Sequence, residues 1–172
     1  SKSVIVIILV LLLGSTGIYT LSYMSVYQLP HTAVRTSSWL QENAEKGSIV
    51  LKEHWEEGIP GSSGFKIREL PMYEPDSVEK VREISVLLTE ADYIWFYSNR
   101  LYGTIPRLEE RYPYSANYYK QLFRGGLGYE LVNVETSYPK ISNITIQDDT
   151  FMRPGLEPPE GMRKFLSGGL KV

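Results

Sequence analysis

DSVEKVREISVLLTEADYIWFY, residues 76–97, couples an amphipathic helix directly to a strand, and the fold is read outward from it. Asp76 precedes Val78, Val81, Ile84 and Leu88 at helical spacing, and Glu79 follows three residues on, which is the capping-box arrangement of a helix start. Residues 92–97 then gather Tyr93, Ile94, Trp95 and Phe96, an aromatic and branched run suited to a central strand. Upstream, residues 32–44 read as a short helix burying Val34, Trp39 and Leu40, and residues 48–52 as a buried strand around Ile49, Val50 and Leu51. Residues 53–64 form a loop, and residues 65–70 a further strand before Pro71. Downstream, Pro113 opens a helix with Tyr114, Tyr118 and Leu122 on one face, Gly125 and Gly126 end it, and residues 129–135 read as the next strand. Alternation of this kind predicts an α/β fold with a largely parallel sheet. Function in such sheets sits beyond the carboxyl ends of the strands, where residues 53–57 and 98–111 both fall.

The first thirty residues differ from the rest. Residues 4–13 are apolar without interruption, and a weaker apolar stretch continues through Ile18, Leu21, Met24 and Val26 to Tyr27. A helix of about 24 residues reaches about 36 Å, enough to cross a hydrocarbon core of about 30 Å with tilt. Tyr19, Tyr23 and Tyr27 would stand at the headgroups, and Lys2 marks the near end as cytoplasmic. A secretory signal peptide ending near residues 14–17 is the alternative. The expected organisation is a transmembrane helix over residues 1–29, an extracytoplasmic α/β domain over 30–151, and a loosely ordered Pro- and Gly-rich tail over 152–172. Ser1 is not a methionine, so an excerpt of a multispanning protein, or a processed product, is expected. The net charge of -2 gives no general electrostatic reason to expect nucleic acid, and the lack of cysteine excludes disulfides and thiolate metal sites.

Two stretches carry chemistry. SNRLYGTIPRLEERYPYSANYY, residues 98–119, sets Arg100, Arg107 and Arg111 among Tyr102, Tyr112, Tyr114, Tyr118 and Tyr119. Guanidinium groups match phosphate geometry, and tyrosines offer rings and hydroxyls to sugars or isoprenoids. The plainer reading pairs Arg107 and Arg111 with Glu109, Glu110 or other acids and sends the tyrosines to the core. In Glu53-His54-Trp55-Glu56-Glu57 a histidine stands among carboxylates, which suggests metal binding or proton transfer, or else a packed Trp55 among solvated acids. Residues 125–128 are glycine-rich but lack the Lys-Ser/Thr of a phosphate loop, and Asn143-Ile144-Thr145 is a glycosylation sequon. No cofactor and no metal is expected.

GSIVLKEHWEEGIP (residues 47–60), residues 98–113, and YYKQLFRGGLGYELVNVETSYP (residues 118–139) together resemble the C-terminal region of the YYY-domain membrane proteins of Chloroflexi and archaea. Those multispanning proteins resemble lipid-carrier-dependent glycosyltransferases of the protein mannosyltransferase kind. The resemblance, over about residues 4–141, implies the last membrane helix and extracytoplasmic domain of such a protein in the cytoplasmic membrane. Its partners would be a membrane lipid or polyprenyl-phosphate sugar and the upstream transmembrane helices of the same parent. The transferase's catalytic acid would lie upstream, leaving this part to position donor or acceptor. Glu53, His54, Trp55, Arg100, Tyr102, Arg107 and Arg111 lie in the matching motifs and are the substrate-binding candidates. The end departs from the pattern, because an apolar closing strand is expected after residues 148–151 and is not found. Two other readings stand beside this one: a membrane-anchored or pilin-like surface or filament protein without enzymatic activity, and a secreted binding module.

Overall fold

The structure, a computed structural model, describes residues 2–146. The expected tail over 152–172, the missing closing strand and the last residues of the expected domain lie outside them. Helix α1 (Lys2–Met24) is long and apolar enough to cross a membrane, and its side chains are exposed apart from Ser22. A short 3-10 turn, Ser25–Gln28, leads through Leu29 and Pro30 to α2 (Thr32–Asn43). His31 caps α2, its Nδ1 accepting the amide of Ala33 at 3.2 Å.

Strand β1 (Ile49–Glu53) follows, then β2 (Lys66–Leu70), α3 (Val78–Glu90) and β3 (Tyr93–Trp95). The three strands form a parallel sheet in the order β2-β1-β3, so the expected α/β class with a parallel sheet is present. Side chains alternate across a strand, and β1 uses both faces. Val50 packs with Ala33, Leu40 and Trp95 on the α2 side, while Leu51 packs with Leu70, Ile84, Leu87 and Tyr119 on the other. That second face is covered by α3 and by α4 (Pro113–Phe123), giving one helix on one side and two on the other.

The start of α3 corrects the capping assignment. Its N-cap is Ser77, whose hydroxyl accepts the Lys80 amide at 3.1 Å. Asp76 instead caps α4, accepting the amides of Tyr114 and Ser115 at 2.7 and 3.0 Å. Both residues are good caps, and the tertiary contact decides between them. Val78 and Val34 are exposed, so the buried stripes of α3 and α2 run through Ile84 and Leu87, and through Ala33, Ser37 and Leu40. On α4, Tyr118 and Leu122 are buried as expected, but Tyr114 is exposed and Tyr119 is wholly buried.

Residues 129–135 are not a strand. Tyr129 is held at the end of α3, its hydroxyl donating to the carbonyls of Leu88 and Ala91 at 2.7 and 3.1 Å. The chain then runs to α2, where Arg35 meets Glu135 at 3.1 Å and donates to the Thr136 carbonyl at 2.7 Å. It reaches the end of α1, where Ser25 Oγ accepts the Lys140 amide at 2.8 Å. These ties draw the segment away from the edge of β3, so its alternating pattern finds no ladder partner. A small antiparallel pair, β4 (Lys140–Ile141) and β5 (Ile144–Thr145), follows.

Candidate functional site at the carboxyl rim of the sheet

The loops after β1 and β3 part at the carboxyl end of the sheet. After β1 the chain turns towards the α2 face, where Ile59 joins the core and the Ser37 hydroxyl donates to the Pro60 carbonyl. After β3 it turns to the opposite face, burying Leu101 and Ile105 beside α3 and α4. Loops that part in this way leave a crevice at the carboxyl ends of adjacent parallel strands. Two side chains bridge it. Ser98 Oγ donates to Glu56 Oε1 at 2.9 Å, and Arg100 Nη2 donates to the Trp55 carbonyl at 2.8 Å while lying 3.4 Å from Glu56 Oε1.

Glu53 ends β1 on the same face as Leu51 and is 0 % exposed. Its Oε1 accepts a hydrogen bond from the Tyr119 hydroxyl, and its Oε2 has no partner. Burial pushes its pKa up to about 8; the Tyr119 bond opposes the shift and Glu56 adds to it. At neutral pH this carboxyl therefore stays largely protonated. The Tyr118 hydroxyl is also buried without a partner, and burial followed by the nearby Glu53 charge raises the pKa of Tyr118 and Tyr119 well above the ordinary value.

Trp55 projects outward at 72 % exposure from a backbone with φ of 66°, a left-handed conformation that a bulky residue rarely adopts. The flanking hydrogen bonds impose it: the His54 amide donates to the Leu70 carbonyl at 3.0 Å, the Glu56 amide to the Glu53 carbonyl at 3.2 Å, and Arg100 to Trp55 itself. The indole lies 5.6 Å from the Tyr73 ring and 5.5 Å from His54, and the Arg100 guanidinium lies 5.8 Å over Tyr73. Beside them, Glu69 pairs with Lys52 at 2.7 Å and with His54 at 3.3 Å. The Lys52 hydrogen bond outweighs burial and holds the Glu69 pKa below the usual range.

Of the seven candidates, Glu53, His54, Trp55 and Arg100 are thus gathered at the crevice. Tyr102 stands just inside it, edge-on to Phe96 at 5.5 Å, and burial with the added charge of Glu53 pushes its pKa up to about 12. Arg107 is exposed at the end of the 3-10 turn Ile105–Arg107. Arg111 is exposed as well and lies 5.1 Å over the ring of Tyr112, while Glu109 pairs with Lys120. The candidates chosen from sequence omit Glu56, Tyr73, Ser98 and Tyr119. Glu56, Ser98 and Tyr119 lie inside the quoted motifs, and for Glu56 and Ser98 the signal is a polar group bordering a strand end. Among the described residues no three His, Asp or Glu side chains converge as a metal ion requires.

The rim adjoins the point where α1 leaves the domain. Helix α2 returns to β1 through a short connection, so its start lies at the strands' carboxyl end, and the His31 ring stacks on Tyr97 at 5.9 Å. Comparison of the chain with protein-family models, with curated proteins and with solved structures finds no match.

Proposed function

We propose that the chain is the extracytoplasmic domain of a membrane glycosyltransferase-like protein, with α1 as its membrane-spanning helix, and that its carboxyl rim positions a polyprenyl-phosphate-linked sugar, donor or acceptor. The observation that carries this reading is the convergence of three separate motif segments at one end of the domain. Glu53 to Glu56, Ser98 with Arg100, and Tyr119 are joined by direct hydrogen bonds beside the exit of α1. If α1 crosses the bilayer, with Lys2 on the cytoplasmic side, this end faces the headgroups, which a ligand anchored in the membrane by an isoprenoid chain requires.

The role of these residues is positioning rather than bond breaking. Glu53 and the buried tyrosines fix the end of β1, Arg100 and Ser98 hold the Glu56 carboxylate and the Trp55 backbone, and the outer surface is left to meet ligand. The chemical step belongs to the upstream membrane helices of the same parent protein. The test is binding of a polyprenyl-phosphate sugar to the full-length protein in lipid nanodiscs, with Arg100, Arg107 and Arg111 changed to alanine one at a time. Saturable binding weakened at least tenfold by R100A is expected. No binding, or unchanged binding in all three variants, contradicts the reading.

A further inference from the structure

Three features of the rim concern which part of such a ligand it recognises. The first is charge. Lys52 is paired with Glu69 and donates to the Glu56 carbonyl at 2.9 Å, and Arg100 is paired with Glu56 and bound to the Trp55 carbonyl. Both cations nearest the crevice are thereby neutralised by carboxylates, and Glu57 is a further exposed acid. A phosphate entering here would have to break an ion pair and meet several carboxylates, an unfavourable exchange in a partly dry site. The second is the Trp55 backbone. A left-handed conformation at a large residue is strained, and persists only where the surroundings impose it. Here three hydrogen bonds impose it, with the result that an indole stands out in solvent instead of packing. The third is composition. Trp55 and Tyr73 lie within 5.6 Å of each other and are bordered by His54, Glu69 and Arg100, each partly exposed and able to hydrogen bond.

We infer that the rim recognises the sugar ring and not the phosphate: Trp55 and Tyr73 form a stacking platform for an uncharged pyranose, with His54, Glu69 and Arg100 at its edge for the hydroxyls. A pyranose offers a face of C–H bonds, polarised positively, to the negative face of an aromatic ring. Its hydroxyls lie around that face, where carboxylate, imidazole and guanidinium groups accept and donate. Arg100 also holds Trp55 and Glu56 in place. The inference deepens the proposed function and rests on its assignment of the rim as the binding site.

The test uses the full-length protein in nanodiscs, with any tryptophan outside residues 1–172 replaced by phenylalanine, and follows iodide quenching of tryptophan fluorescence. Of the three tryptophans, Trp95 is buried, Trp39 is half-buried and Trp55 is the exposed one. The probes are the methyl glycosides of glucose, mannose and galactose, polyprenyl phosphate without sugar, and the polyprenyl-phosphate sugar. Trp55→Gly removes the ring while relieving the left-handed backbone, so folding is preserved; Tyr73→Ala is the second variant, with its own folding checked by circular dichroism. At least one methyl glycoside should shield Trp55 in the unchanged protein, and polyprenyl phosphate alone should not. Because the Trp55 signal is lost in Trp55→Gly, glycoside affinity in the variants is read by calorimetry, where at least a tenfold loss is expected for Trp55→Gly and a smaller loss for Tyr73→Ala. No shielding by any of the three glycosides, shielding by sugar-free polyprenyl phosphate equal to that by the conjugate, or unaltered glycoside affinity in Trp55→Gly each overturns the inference. The two claims separate cleanly. Glycoside binding at Trp55 without binding of the lipid-linked sugar sinks the proposed function and leaves the platform standing; lipid-linked sugar binding indifferent to Trp55→Gly does the reverse.

Discussion

A wholly buried carboxyl with one unpartnered oxygen makes Glu53 a pH-sensitive element of the fold. Its pKa is raised from 4.5 to about 8, so the folded protein holds the proton more tightly than the unfolded chain does. The associated stability is complete below about pH 4.5 and is lost as the pH rises through 8, at a slope of at most about 1.4 kcal/mol per pH unit. Urea unfolding between pH 5 and 9 should show this decline, and Glu53→Gln should flatten it; an unchanged slope in the variant would show that another group is responsible. The slope is the diagnostic quantity, because the glutamine amide leaves a buried donor that itself costs about 1–3 kcal/mol. Trp55 makes a second prediction at this scale. Glycine adopts φ of 66° without the steric conflict of a side chain, so Trp55→Gly should raise stability by about 1 kcal/mol, read as a higher urea midpoint. Sequence identified Glu53 and Trp55 as candidates because they stand in a motif of the family resemblance, beside a histidine among carboxylates. It did not reveal that His54 turns to Glu69 while Glu53 turns inward to Tyr119, a residue 66 positions away.

Between elements, the firmest polar link joins α3 to α4. Lys80 is buried on α3, and its Nζ, with three protons, lies within hydrogen-bonding distance of four acceptors: Asp76 at 3.0 Å, Ser115 Oγ at 2.7 Å, and the carbonyls of Met72 and Glu74 at 3.1 and 2.6 Å. Asp76 simultaneously caps α4 through two amides and accepts from the Ser115 hydroxyl at 2.5 Å. Burial alone would raise the Asp76 pKa, but the bonds from Ser115 and Lys80 prevail and hold it below the ordinary value. Stability from this group is therefore present above its unfolded pKa of 3.8 and is lost as the pH falls through the lower folded value. Removing the carboxylate strands a buried ammonium and uncaps a helix, so Asp76→Ala should destabilise by about 3–5 kcal/mol with an unchanged denaturant slope. A cost below about 1 kcal/mol would mean that the link contributes little. The periodic helices and the apolar strands were legible in sequence because each signal is local. The Asp76 cap and the fate of residues 129–135 were not, since each is decided by a partner dozens of positions away: Tyr114 and Ser115 for the first, Arg35 and Ser25 for the second.

For the whole molecule, the fold joins its site to its membrane-compatible helix in a fixed relation. Helix α2 starts at the rim, α1 ends three residues and one short turn earlier, and the segment over residues 135–140 returns to bind both. The position of the candidate rim at the strands' carboxyl ends followed from the alternation of helices and strands, but whether the rim lies at the end where α1 departs depends on the direction of α2, which His31 on Tyr97 makes visible. Residues 1–172 contain no cysteine, so once any cysteine elsewhere in the full-length protein is replaced by serine, single cysteines report height above a bilayer without background. The direct test is energy transfer from labels at Glu57→Cys, beside the rim, and at Lys46→Cys, beyond the far end of α2, to headgroup dyes in nanodiscs holding the full-length protein. With α1 across the bilayer, the label at position 57 should lie nearer the headgroups than that at 46 by about 15–20 Å, the length of a helix of α2's size. Equal heights, or the label at 46 lying nearer, would contradict a rim that faces the membrane.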